Sequence, residues 1–338
     1  MTETVPGMSF QDRNDPGGVY AICYEEFSEG GDSLSQLEFK EDFVGETNPW
    51  LPDRFATSFH RPSNPDQELV VTLFGEVLDE SDGTGLGAKG GLKRTQPNVK
   101  DGSKIRDVLA LGPPTDANTE LANLFKDQMI TLRHIVNKLV VPVVPGDKAI
   151  PKRVQWFKYK GSTADPSIIS VNLPYKYSRP DKSSTPAKLQ KRASDKDVSG
   201  SKSDQISLTS TYDPQSMSDF DPDLNLQGAR LLQQRIFDQD SKLVPPSKAP
   251  FVFRKGALVA IEAKLSVFHF VNDPDPSHLY QITASGVKLL APTPLVYTQP
   301  QAVPSSSRRK LAPSRSAMFD KLLETPGEAA NKNQNMDV

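Results

Sequence analysis

Cysteine is nearly absent from this chain, and long apolar runs are absent altogether. Cys23 is the single cysteine among 338 residues, which rules out an internal disulfide and a cysteine-based zinc site and fits a reducing compartment. In Val19-Tyr20-Ala21-Ile22-Cys23-Tyr24 it reads as a small buried hydrophobe. No stretch approaches the roughly 20 apolar residues of a membrane span. The start, Met1-Thr2-Glu3-Thr4-Val5-Pro6-Gly7, lacks the basic and apolar regions of a secretory signal. The chain therefore reads as intracellular: cytoplasmic, nuclear or viral, with no membrane partner. Apolar residues are only 36% of the total, below the roughly 45–50% of globular domains.

Proline, in contrast, is abundant, at 29 residues, nearly twice the usual share of about 5%. Proline breaks helices and cannot donate to a sheet ladder, so regular structure must come in pieces. The net charge of −2 conceals an uneven distribution. Residues 1–92 carry 5 Lys/Arg against 18 Asp/Glu, and residues 93–160 carry 13 against 6. Either the basic middle meets a polyanion or the two segments pair with each other.

Residues 1–18 are expected to be disordered, 19–27 to form a strand, and 34–66 to be irregular around Pro49, Pro52, Pro62 and Pro65. Glu68 to Leu78 is rich in β-branched and aromatic residues and predicts a strand. Asp79 to Gly102 is a Gly-rich loop. Thr119 to Lys138 predicts the one helix, with Leu121, Leu124, Phe125, Leu132, Ile135 and Val136 at helical spacing and Thr115 or Thr119 as its cap. Strand character could begin within 128–141, where prolines follow. Lys152–Lys160 and Ser167–Tyr177 predict a hairpin. Residues 178–223 are poor in large apolar side chains and are expected to be a disordered insertion. Leu224–Phe237 could be a short helix. Ala257–Phe270 alternates strictly, with Val259, Ile261, Ala263, Leu265 and Val267 on one face, and Leu279–Leu290 returns as its partner. Residues 292–338 are expected to be a disordered tail, with an amphipathic piece at 318–323 and a basic cluster at Arg308, Arg309 and Lys310. One domain thus spans 19–177 and 224–291.

Catalytic motifs fail on context. Gly85-Leu86-Gly87-Ala88-Lys89-Gly90 has the letters of a dinucleotide loop, but no helix start follows. The histidines at 60, 134, 269 and 278 show no metal spacing, although His269 and His278 flank a turn and could approach each other. No nucleophile elbow or triad series is recognisable. The expectation is a non-enzyme without metal or cofactor.

Lys152-Arg153-Val154-Gln155-Trp156-Phe157-Lys158-Tyr159-Lys160 mixes cations and rings, as does Tyr175-Lys176-Tyr177 with Arg179. Rings stack unpaired bases and cations hold the phosphates. The same strand could instead bury Trp156 and solvate its lysines. Lys264 and Phe268 raise the same choice.

The run from Phe253 to Val267 resembles the opening of a barrel strand, and its partner from His278 to Leu290 the strand that closes the barrel, in OB-fold single-stranded-DNA-binding proteins of viruses and virus-like mobile elements. That resemblance implies a mainly β fold: an OB-like barrel of five to six strands with one helix and long disordered insertions. It also implies sequence-tolerant binding of single-stranded DNA through a basic, aromatic groove. The candidate binding residues are Arg153, Trp156, Phe157, Lys158, Tyr159, Lys160, Lys264 and Phe268. The other reading is a structural or scaffolding protein, such as a viral coat or assembly factor. Self-association and a protein partner for the tail remain open under both.

Overall fold

In the computed structural model, the described residues are 9–51, 54–92, 104–139, 152–159 except 155, 166–178, and 206–295 except 225, 227 and 271–276. The elements in chain order are α1 (Val19–Glu29), β1 (Val44–Leu51), β2 (Arg54–Arg61), β3 (Asn64–Glu68), β4 (Val70–Val77), β5 (Arg106–Gly112), α2 (Thr119–Lys138), β6 (Lys152–Val154), β7 (Phe157–Tyr159), β8 (Pro166–Tyr175), β9 (Thr211–Tyr212), β10 (Leu231–Leu232), β11 (Ile236–Phe237), α3 (Ala249–Val252), β12 (Leu258–Phe270) and β13 (Ser277–Ala291).

The fold is mainly β. Five strands close on themselves in the order β4-β5-β8-β13-β12 and back to β4. Only the β8–β13 contact in this cycle is parallel, with Val171 opposite Ile282. This is an OB-like barrel of the kind the resemblance implied. Closure removes the free edges that an open five-stranded sheet would expose.

Period-two alternation supplies the interior. Val259, Ile261, Ala263, Leu265 and Val267 of β12 are buried, as are Val71 and Leu73 of β4 and Ile169, Val171 and Leu173 of β8. On β13 the buried set shifts phase, from Tyr280, Ile282 and Ala284 to Val287 and Leu289. The shift coincides with an irregularity opposite Glu262/Ala263 that leaves Ser285 unpaired, as an extra bulge residue requires.

Helix α2 packs its apolar stripe against the barrel, capped by the Asn118 side chain, which accepts from Leu121 N at 2.9 Å. The sequence pointed to Thr115 or Thr119. Thr115 instead donates to Glu76 from its hydroxyl and its backbone N–H. The helix continues to Lys138, so no strand begins within 128–138.

Several expectations need correction. Residues 19–29 form a helix, because Tyr20, Cys23 and Phe27 recur at helical spacing on a buried face while Ile22 is exposed. Within 34–66 lie β1, β2 and the start of β3. Their prolines fit because Pro49 and Pro65 occupy strands that pair on one side only, where a missing N–H costs no ladder bond. Residues 9–18 are ordered, with Arg13 fully buried and donating to the carbonyls of Gly256 and Pro292. Within the insertion, residues 206–223 are ordered around buried Met217, and β9 pairs with β10. Where a short helix was expected over 224–237, Leu231–Leu232 and Ile236–Phe237 form β10 and β11. The basic cluster at 308–310 and the piece at 318–323 lie outside the described residues. No described helix is long and apolar enough to cross a membrane.

Candidate nucleic-acid interface

The outer faces of β5 and β8 form the floor of a groove of about 670 Å³. Along β8 the inward set is Ile169, Val171 and Leu173, so Ile168, Ser170 and Asn172 alternate onto the groove floor. Val108 of β5 lies beside them. One wall is the Gly-rich loop, through Glu80 to Gly85 and Gly90 to Leu92; the other is β7, through Lys158 and Tyr159.

The loop is tied down to β5. Gly85 and Val108 exchange both backbone hydrogen bonds, at 2.8 and 2.9 Å, and Gly91 N donates to Arg106 O at 2.8 Å. Gly91 lies in a turn and Leu92 in irregular backbone, the last described residues after the glycines. Glycine is needed at Gly87, where φ is +107°, a conformation other residues adopt only at a cost.

Exposed aromatic rings mark both ends of β8. Tyr159, opposite Pro166, is 51% exposed, and Tyr175 is 46% exposed. The Arg106 guanidinium lies over the Tyr175 ring, its carbon 3.9 Å from the centroid. Nine steps along the strand separate Pro166 from Tyr175, about 30 Å at roughly 3.3 Å per residue. Lys158 is exposed and donates to Asp82 O at 3.4 Å. The groove is mixed in charge, because Glu80 and Asp82 share its rim with Lys158.

The residues singled out from sequence divide into groups. Lys158 and Tyr159 line the groove. Trp156 and Phe157 do not: they are 1% and 5% exposed, and Trp156 packs edge-on against Tyr280 with centroids 5.3 Å apart. Their rings are core, which corrects their reading as stacking surfaces. Lys264 and Phe268 stand on the outer face of β12, half-buried. The barrel order separates β12 from β8 by β13 on one side and by β4 and β5 on the other. Lys264 pairs there with Glu68, so these two do not join Lys158 and Tyr159. Arg153 lies on β6, beside His278 of β13, and only its backbone is described; Lys160 lies outside the described residues. Of the second mixture, Tyr175 is exposed while Lys176 and Tyr177 are buried; Arg179 is outside.

Sequence reasoning missed Arg106, Ser170 and Asn172. A signal for Arg106 existed, since it opens a strand directly after the glycine loop. Ser170 and Asn172 could be found only once the inward face of β8 was known.

Elsewhere, His269 and His278 do approach, with Nδ1 atoms 3.0 Å apart and both side chains buried. Among the described residues no group of three His, Cys, Asp or Glu side chains could hold a metal ion. Burial pushes the Cys23 thiol up to about 12, with Glu26 adding to the rise, which leaves it protonated and inert.

No protein-family model matches this chain, and no curated protein does. Among solved structures it is similar to gp2.5, a single-stranded DNA-binding protein encoded by bacteriophage T7. That likeness has a TM-score of 0.30 and 10% identity and covers 66% of this chain and 92% of that one. It is also similar to the single-stranded DNA-binding protein from bacteriophage Enc34 in complex with ssDNA, with a TM-score of 0.25 and 8% identity, over 74% of this chain and 95% of that one.

Proposed function

We propose that this protein binds single-stranded DNA, with little regard to sequence, along the β5–β8 groove. The observation that carries the reading is the placement of solvent-open rings near the two ends of β8, Tyr159 with Lys158 in the groove wall and the Arg106–Tyr175 stack at the far end of the strand. Unpaired bases stack on such rings, each stack contributing about 1–3 kcal/mol, and the process tolerates any base because every base has a flat face. In a five-stranded barrel of this type, the face of the second and third strands with the first connecting loop is where oligonucleotides settle; here those are β5, β8 and the glycine loop. A span of about 30 Å suits several nucleotides. Ser170 and Asn172 offer hydrogen bonds without a fixed donor–acceptor pattern.

The groove holds few cations, so the account predicts modest salt dependence. Two phosphate contacts, from Lys158 and Arg106, give a slope of log affinity against log salt of about −1.4, at roughly −0.7 per contact for single strands. Fluorescence anisotropy of a labelled oligothymidylate at several salt concentrations measures it. Binding to single strands well above binding to a duplex supports the reading. Absence of binding at low salt, together with a large assembly by light scattering, would instead favour a scaffolding protein.

A further inference from the structure

The segment between β8 and β12 folds back onto the glycine loop at its tip, away from the groove floor. Asp219 accepts the Ala88 N–H with both carboxylate oxygens, each at 2.9 Å. Lys176 donates to Gly87 O at 2.6 Å and to Asp107 at 2.6 Å, and both of these charged side chains are 1% exposed. The Tyr177 hydroxyl donates to Ala88 O at 3.0 Å. Lys89 pairs with Asp221 at 2.6 Å. Ala88 itself is fully buried, in a second apolar cluster with Ile105, Tyr177, Met217, Leu224 and Leu231. A Cβ at Gly87 would collide with the Asp219 carboxylate, so the glycine permits the close approach.

Three consecutive polar groups at the loop tip, Gly87 C=O, Ala88 N–H and Ala88 C=O, are therefore each held by a side chain from outside the loop. The two limbs leaving that tip, through Gly85 and through Gly90–Gly91, are the ones that border the groove and bond to β5. A loop rich in glycine has high conformational freedom when unrestrained. The limbs are held by β5, and the tip that joins them is held by these side chains.

We propose that Asp219, together with Lys176 and Tyr177 just after β8, clamps the loop tip and so sets the groove wall, with Asp219 as a positioning residue that never touches the nucleic acid. The proposal rests on the binding reading above, because it assigns a role within the same groove. A carboxylate is suited to this role: two oxygens on one N–H hold the peptide plane, and the charge assistance strengthens the bond.

Two readouts separate the clamp from the binding. Hydrogen exchange of the amides in 85–91 reports the clamp with no ligand present. Oligothymidylate anisotropy against salt reports the groove. Asp219→Ala is expected to speed exchange at Ala88 and to weaken oligonucleotide binding by about tenfold, the effect of losing one buried charge-assisted bond, with an unchanged salt slope because no phosphate contact is lost. Asp219→Asn retains an acceptor and is expected to restore both values close to the parent. Tyr177→Phe withdraws only the hydroxyl on Ala88 O and should raise exchange in the same loop, which decides the matter if Asp219→Ala fails to fold. Parent-level exchange in Asp219→Ala, or in Tyr177→Phe where the alanine variant is unfolded, overturns the clamp. Tighter binding with a steeper salt slope also overturns it, because Asp219 would then be competing with phosphate. A parent protein that ignores oligonucleotide sinks the binding reading alone, and the exchange data still judge the clamp.

Discussion

His269 and His278 face each other across β12 and β13, and Thr57 Oγ1 lies 2.7 Å from Nε2 of His269. Burial, with the neighbouring His278 as a second cause, depresses the His269 pKa from 6.5 to about 4. The unfolded chain takes up a proton here below pH 6.5, and the folded chain does not until about pH 4. Stability from this site is therefore intact above pH 6.5, is lost as pH falls to about 4, and changes no further below that. At roughly 1.4 kcal/mol per unit the loss is about 3 kcal/mol. Urea unfolding across that range should show it, and His269→Gln should flatten the difference; equal profiles for the two proteins contradict the assignment. The approach of these histidines was legible from their flanking of one turn. The fate of Trp156 was not, because rings and cations occupy both faces of Lys152–Lys160 and alternation alone cannot say which face is covered.

At the scale of elements, α2, β12 and β13 were readable because each carries one clean period over more than ten residues. Helix α1 was misread because Val19, Tyr20, Ile22 and Tyr24 have high strand propensity, and tertiary burial of Tyr20, Cys23 and Phe27 overrode it. The fit of α2 to the barrel uses a polar residue that periodicity ignores. Gln128 is fully buried; its carbonyl accepts from Phe74 N at 2.9 Å and its amide donates to Phe74 O at 3.2 Å. Strand β4 pairs with β5 only at Glu76 and Val77, so Gln128 stands in for the missing partner strand. Gln128→Leu conserves bulk but strands both backbone groups in the interior. At about 1–3 kcal/mol for each orphaned group, the variant should lose about 2–6 kcal/mol in denaturant melts. A loss under about 1 kcal/mol would mean that water reaches Phe74.

For the molecule as a whole, barrel closure depends on the parallel contact between β8 and β13, strands separated in sequence by the entire insert. No local pattern announces such a pairing, which is why the barrel was expected but its strand order was not. Closure turns the β8 and β12 faces away from each other and so divides the sequence-derived candidates: Lys158 and Tyr159 fall in the groove, Lys264 and Phe268 outside it. The central claim is that single strands lie on the first face and not the second. Oligothymidylate affinities of Tyr159→Ala, Tyr175→Ala and Phe268→Ala, each compared with the parent at one salt concentration, test it most directly. The account predicts losses of about 1–3 kcal/mol for each tyrosine and no change for Phe268→Ala. Parent-like affinity in both tyrosine variants, with the loss appearing at Phe268, would contradict it.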